Sequence, residues 1–173
     1  MSGGNDMQEL IAAYTDAWVS LDAYDKDELP TQGSTPSSVA LTAEQLLGAF
    51  QEFKAALMST GNAVELFGNE RSSDAVQGIV GNVMQSIDGR PVYPTVEEQA
   101  AHLFYFLVKD HPFVDGNKRS GAYAFIWFLH RAGVLDRTLM PAPALTALTL
   151  FIAESGSAQK EKVVRLVLQL LKK

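Results

Sequence analysis

Apolar positions recur at helical spacing along most of this chain. In residues 7–28, Leu10, Ile11, Tyr14, Trp18, Leu21 and Tyr24 fall on one stripe and predict a first helix. Asp22, Asp25, Asp27 and Glu28 crowd its last turns, where the helix dipole disfavours carboxylates, so this end should fray into solvent. Pro30 and residues 31–38 read as a polar surface connection rather than a domain boundary, because the segment before them is too short for its own core. A second helix starts at Thr42, which has capping-box spacing to Gln45. Its apolar face is Leu46, Leu47, Phe50, Phe53 and Leu57, and Gly61-Asn62 ends it.

Residues 63–67 and 73–80 read as two short helices around the polar break Gly68-Asn69-Glu70-Arg71. Residues 83–93 carry a different pattern, two short β-prone runs flanking Asp88-Gly89, which predicts a hairpin. A lone hairpin on a helical protein lies on the surface as a flap. Its free edge can receive an extended peptide, so Ser86, Ile87, Asp88, Gly89 and Arg90 are candidate target-binding positions.

Thr95 and Glu98 form a second capping box, opening a helix from about 96 to 110. Together with a helix over residues 117–132 closed by Gly133, it is apolar nearly all round, as expected of buried central helices. Two further helices follow at about 143–154 and 157–172. The pattern is that of an all-α domain carrying one hairpin, a single domain over residues 1–173. Its core lies at about 62–135, and the helices of residues 1–61 and 140–173 pack on it.

Hydrophobic residues at 47% and charged residues at 20% fit a globular domain with a real core. The absence of cysteine excludes disulfides and thiolate chemistry, and three histidines make a multi-histidine metal site a poor reading. The N-terminus lacks signal-peptide character and no apolar run reaches membrane-spanning length, so a cytoplasmic protein without membrane contact is expected. A net charge of −6 speaks against direct nucleic-acid binding, so any anionic ligand needs a local cluster of cations.

Such a cluster lies between the two central helices, in His111-Pro112-Phe113-Val114-Asp115-Gly116-Asn117-Lys118-Arg119-Ser120. Pro112 biases His111 away from helical geometry, placing its imidazole at a helix end, where it can act as a general base. Phe113 reads as an apolar plug. Asp115 is the one carboxylate inside the loop, suited to a magnesium ion that also holds phosphate oxygens. Gly116 permits a tight turn and close ligand approach. Residues 117–120 then form a helix first turn, whose free N–H groups bind anions. Lys118 and Arg119 oppose the dipole there, a local conflict that a bound phosphate resolves. Outside the loop, His102 reads as a hydrogen-bonded core residue, and His130 with Arg131 as a favourable helix end. Glu70 and Arg71 are placed to line the cleft.

The run from His111 to Arg119 resembles the signature of the Fic/Doc (Fido) family, His-Pro-Phe-x-Asp/Glu-Gly-Asn-Gly/Lys-Arg, and the likeness extends over about residues 80–135. It implies a Fic-like helical bundle that moves a phosphate-containing part of a nucleoside triphosphate such as ATP onto a Ser, Thr or Tyr hydroxyl of a target protein. By the same resemblance His111 is the base, Asp115 positions Mg2+, Gly116 and Asn117 line the anion hole, Arg119 binds phosphate and the hairpin clamps the target. Lys118, where AMP-transferring members carry glycine, resembles the Doc branch, which moves the terminal phosphoryl group. Ala122 replaces a second arginine. AMP transfer and phosphoryl transfer both remain open, as does a catalytically silent nucleotide- or phosphate-binding module. Ser157 and Glu161 are a partial match to an inhibitory helix motif of the family, with Lys162 where glycine or asparagine stands. A separate inhibitory partner protein, of the kind that neutralises a toxin, is the other expectation.

Overall fold

A computed structural model describes residues 3–172 except Ser38. The elements in order are α1 (Gly3–Ala13), α2 (Thr15–Asp25), α3 (Ala43–Ser59), α4 (Ala75–Val83), β1 (Ser86–Ile87), β2 (Arg90–Pro91), α5 (Val96–Lys109), α6 (Asn117–Arg131), α7 (Ala142–Glu154), a 3₁₀ turn (Ser157–Gln159) and α8 (Lys160–Leu170). The architecture is all-α with one two-stranded antiparallel flap, as the periodicity predicts. None of the described helices is long and apolar enough to cross a membrane.

The central layer is the α5–α6 pair, with α4, α7 and α8 packed on α5 and α3 on α6. Phe104, Phe125, Phe128, Leu103, Leu107 and Leu129 are buried between them. Each such side chain contributes about 1.5–3 kcal/mol by leaving water. A Cβ on Gly121 would stand 2.7 Å from Val108 Cγ2, so the absence of a side chain there is what lets α6 approach α5 so closely. Both capping boxes form, at Thr42 with Gln45 and at Thr95 with Glu98, and fix where α3 and α5 begin.

Four stretches differ from the sequence expectation. The first helix is two, broken at Tyr14: the Trp18 indole donates to the Ile11 carbonyl at 2.9 Å, and the Thr15 hydroxyl donates to Ala12 at 2.8 Å. Side-chain donors at these carbonyls compete with the helical ladder. The predicted short helix at 63–67 is instead a run of turns, and α4 continues to Val83. The hairpin is therefore shorter than 83–93, pairing Ser86 with Pro91 and Ile87 with Arg90. Asp88 at φ 53° and Gly89 at φ 77° form the turn, both left-handed as a tight hairpin requires.

The fourth difference is the polar segment 31–37, which is docked rather than free. Ser34 and Thr35 N–H donate to Glu97 Oε1 at 3.0 and 2.8 Å, the Val96 N–H donates to the Thr35 carbonyl, and the Ser37 hydroxyl donates to Gln99. This seam buries Glu97, Glu98 and Gln99 with their hydrogen bonds satisfied.

Candidate active site

The polar loop leaves α5 through His111. Asp110 caps α5 and His111 follows at φ 50°, the left-handed position that ordinarily takes glycine after a helix. A non-glycine side chain there costs about 1–2 kcal/mol, a strain that recurs at functional sites. The imidazole is exposed. Burial pushes the neighbouring Asp110 carboxyl up from its usual range, and the positive charges of Lys160 and His111 oppose that shift.

Beyond His111 the loop is stitched to a strap at residues 67–71. The Arg71 N–H donates to the Pro112 carbonyl at 2.8 Å, the Val114 N–H to the Asn69 carbonyl at 2.8 Å, and the Gly68 N–H to the Asp115 carbonyl at 3.0 Å. Bridges of strand type join Glu70 to Phe113 and Phe67 to Asp115. Phe113 is fully buried and meets Phe50 edge-on at 5.3 Å, the plug expected of it. Its carbonyl accepts from Arg71 Nε and from Asn117 Nδ2, both at 3.0 Å. The Glu70 carboxylate accepts from the Val76 N–H, tying the strap to the start of α4.

Gly116 is the N-cap of α6 at φ 87°, with no side-chain cap. The first helical bond of α6 runs from Ser120 N–H to the Gly116 carbonyl, so the N–H groups of Asn117, Lys118 and Arg119 lie at an uncapped, positively polarised helix end. The Lys118 side chain is exposed and has no hydrogen bond or ion pair among the described residues. Backbone donors at a helix start with a cation beside them have the chemistry to hold an anion.

Several expected contributions take another form. The Asn117 side chain is turned to the loop backbone: its Oδ1 accepts from the Phe113 N–H at 2.9 Å while its Nδ2 closes the same turn, so it holds the loop's shape. The Ser120 side chain is fully buried, its hydroxyl has no partner among the described residues, and its N–H bonds to the Gly116 carbonyl inside the helix. Arg119 turns toward the strap. Its Nη1 donates to the Asn62 carbonyl at 2.7 Å, its guanidinium lies 4.5 Å from the centre of the Phe67 ring, and Nη2 is 3.8 Å from Asp115 Oδ2. Phe67 requires glycine at 116, since a Cβ there would stand 2.3 Å from the ring.

Asp115 is half-exposed, with Arg119 as its ion-pair partner. No group of three or more acidic, histidine or cysteine residues suited to a metal occurs among the described residues. The flap positions Ser86, Ile87, Asp88, Gly89 and Arg90 are all exposed, Ile87 at 65%, and the two short strands leave their outer edges unpaired.

The strap is what the pattern of apolar positions missed. Its polar residues carry no periodic signal, and pairing across some 42 residues leaves no mark on a single sequence. A cleft of about 560 Å3 lies elsewhere, between the base of the flap and α8, lined by Tyr93, His102, Ser157, Lys160 and Glu161 among others and by no residue of the 111–119 loop. Glu161 lines this cleft beside Lys160, and the position of the second arginine is held by Ala122.

This helical bundle carries, on one loop, a histidine at a strained helix end and an uncapped helix N-terminus, groups whose chemistry suits phosphate, and it exposes the edges of its flap. The model of the Fic/DOC family matches residues 40–129, more than half of the chain, and the chain belongs to that family. Fic-type proteins are in general nucleotide-dependent transferases acting on protein targets, and some members are inactive. No curated protein and no solved structure matched the chain.

Proposed function

We propose that this protein transfers a phosphate-containing group from a nucleoside triphosphate to a hydroxyl of a target protein, with the terminal phosphoryl group as the portion moved. The observation that carries this reading is the uncapped start of α6, with free Lys118 beside it and exposed His111 at the other end of the same loop. Lysine at 118 supplies charge to a transferring phosphoryl, where catalysis is largely positioning and electrostatics. Alanine at 122 leaves out the guanidinium that AMP transfer in the family is expected to use.

In the proposed reaction an extended target segment pairs with the free edge of the flap, which brings its hydroxyl toward the loop. His111 accepts the hydroxyl proton as the oxygen attacks the phosphorus. The bond from that phosphorus to the leaving nucleoside diphosphate breaks, and the new ester forms on the target. The N–H groups of Asn117 and Lys118 and the Lys118 ammonium hold the phosphate oxygens throughout. Asp115 is the carboxylate that would hold a Mg2+ ion, which when bound would offset charge on the phosphate.

The test is incubation of lysate protein with ATP labelled separately at the α and γ phosphates. Label from γ alone supports the reading, and label from α alone replaces it with AMP transfer. His111→Ala should lower transfer at least about 100-fold with an unchanged far-UV spectrum. A wild-type rate in that variant would remove His111 as the base.

A second reading rests on Arg119, which is engaged by Asn62 and Phe67 rather than turned to the anion site. On it the chain is a catalytically silent module that holds a nucleotide or phosphorylated partner, and it predicts nucleotide binding without label transfer. If the protein acts as a toxin-like cytoplasmic regulator, the Ser157–Glu161 run, with Lys162 after it, matches the family's inhibitory motif only in part. Restraint then falls to a separate inhibitory protein, and expression alone should arrest growth.

A further inference from the structure

Residues 1–28 contain seven carboxylates and one lysine, a net −6, which equals the net charge of the whole chain. Residues 29–173 hold thirteen charges of each sign and are neutral. The same segment exposes an apolar stripe. Met7, Leu10 and Ile11 on α1 and Tyr14 at the break are 54–56% exposed, and Trp18, Val19 and Leu21 continue on α2 at 50–58%. Seven large apolar side chains on consecutive helices are more than the scattered exposure normal for a soluble surface. Trp18 links the two helices through its bond to Ile11 and its 6.3 Å contact with Tyr14.

The far end of this segment is already occupied, by α8. That helix buries Val163, Val164, Val167 and Leu168 and presents cations to α2. Lys162 Nζ lies 3.9 Å over the Tyr24 ring, Arg165 pairs with Asp27 at 3.3 Å and reaches the Leu29 carbonyl, and Gln169 donates to Ser20 at 3.3 Å. The chain therefore covers the end of its acidic-apolar segment with a basic amphipathic helix. The first half has no such cover: Asp6, Glu9 and Asp16 have no ion-pair partner among the described residues.

We propose that α1 and the first turns of α2 dock a basic amphipathic helix of another protein, which repeats on this half the chemistry that α8 supplies on the other. Apolar side chains of the partner cover Leu10, Ile11, Tyr14 and Trp18, and its flanking Lys or Arg residues face Asp6, Glu9 and Asp16. A second copy of this chain does not suit the face, because pairing two such segments opposes −6 to −6. The proposal stands apart from the phosphate chemistry, since none of these residues belongs to the loop, the strap or the flap.

The test uses the full chain carrying Trp127→Phe, so that Trp18 is the only indole, and a synthetic amphipathic helix of leucine and lysine about 18 residues long. The controls are a scrambled peptide of the same composition and an amphipathic peptide with glutamate for lysine. The expected result is a saturable blue shift of Trp18 with the amphipathic lysine peptide alone. Affinity should fall ~10-fold when salt rises from about 50 to about 300 mM. Leu10→Gln with Ile11→Gln, and separately Asp6→Asn with Glu9→Asn and Asp16→Asn, should each weaken binding ~10-fold. Equal affinity for the scrambled or the glutamate peptide would overturn the proposal. So would a blue shift that follows protein concentration without peptide and coincides with dimer mass in sedimentation, which would assign the face to a second copy.

Discussion

His111 combines two roles that pull against each other. Its φ of 50° ends α5 in the conformation that glycine adopts without cost, yet the position carries an imidazole. His111→Gly should therefore be more stable than His111→Ala by about 0.5–1 kcal/mol, with transfer abolished in both. Equal denaturation midpoints for the two variants would show that the backbone stores no strain there. Gly116 is constrained from two sides, by φ 87° and by the Phe67 ring. Gly116→Ala should cost about 2–4 kcal/mol through strain and overpacking together, read in urea, and a cost below about 1 kcal/mol would mean that Phe67 moves aside freely. The residues of the loop were legible in the sequence because their chemical types coincide within nine positions. Their division of labour was not, since whether Asn117 faces a ligand or Phe113 depends on the local path of the backbone.

At the level of elements, α5 organises the molecule from both ends: its start carries the docked 31–37 segment and its last turn presents His111. Between them, His102 donates Nδ1–H to the Glu98 carbonyl at 2.7 Å and stacks on Tyr93 at 3.6 Å. Burial lowers its pKa to about 4, assisted by Lys160 and opposed by the bond to Glu98. The unfolded chain thus binds a proton near pH 6.5 that the folded chain refuses until about pH 4, so this group removes stability as pH falls through that window. Between pH 7 and 4.5, wild type should lose on the order of 2 kcal/mol more than His102→Gln. Parallel pH profiles for the two proteins would refute the burial effect. The helices, both capping boxes and the hairpin turn followed from periodicity and local signals. The strap and the docked 31–37 segment did not, because irregular backbone joined by long-range hydrogen bonds has no sequence period.

For the whole molecule, the central fact is that its parts differ in how they are held. The α5–α6 layer rests on buried aromatic and aliphatic contacts between helices adjacent in sequence. The N-terminal helices pack on α8 through α2, and residues 1–28 carry a charge equal to that of the whole chain. The loop is held by hydrogen bonds to a strap more than forty residues upstream. Closing a chain segment of that length is slow relative to forming helices, and it yields no gain until both ends are in place. Refolding should consequently return far-UV ellipticity before it returns nucleotide affinity, and simultaneous recovery of the two signals would refute this order. The strap thereby gives the molecule a timing property: a chain still emerging from the ribosome or half-assembled has its helices before its 111–119 loop is shaped, and the loop takes that shape only once residues 67–71 have met residues 112–115.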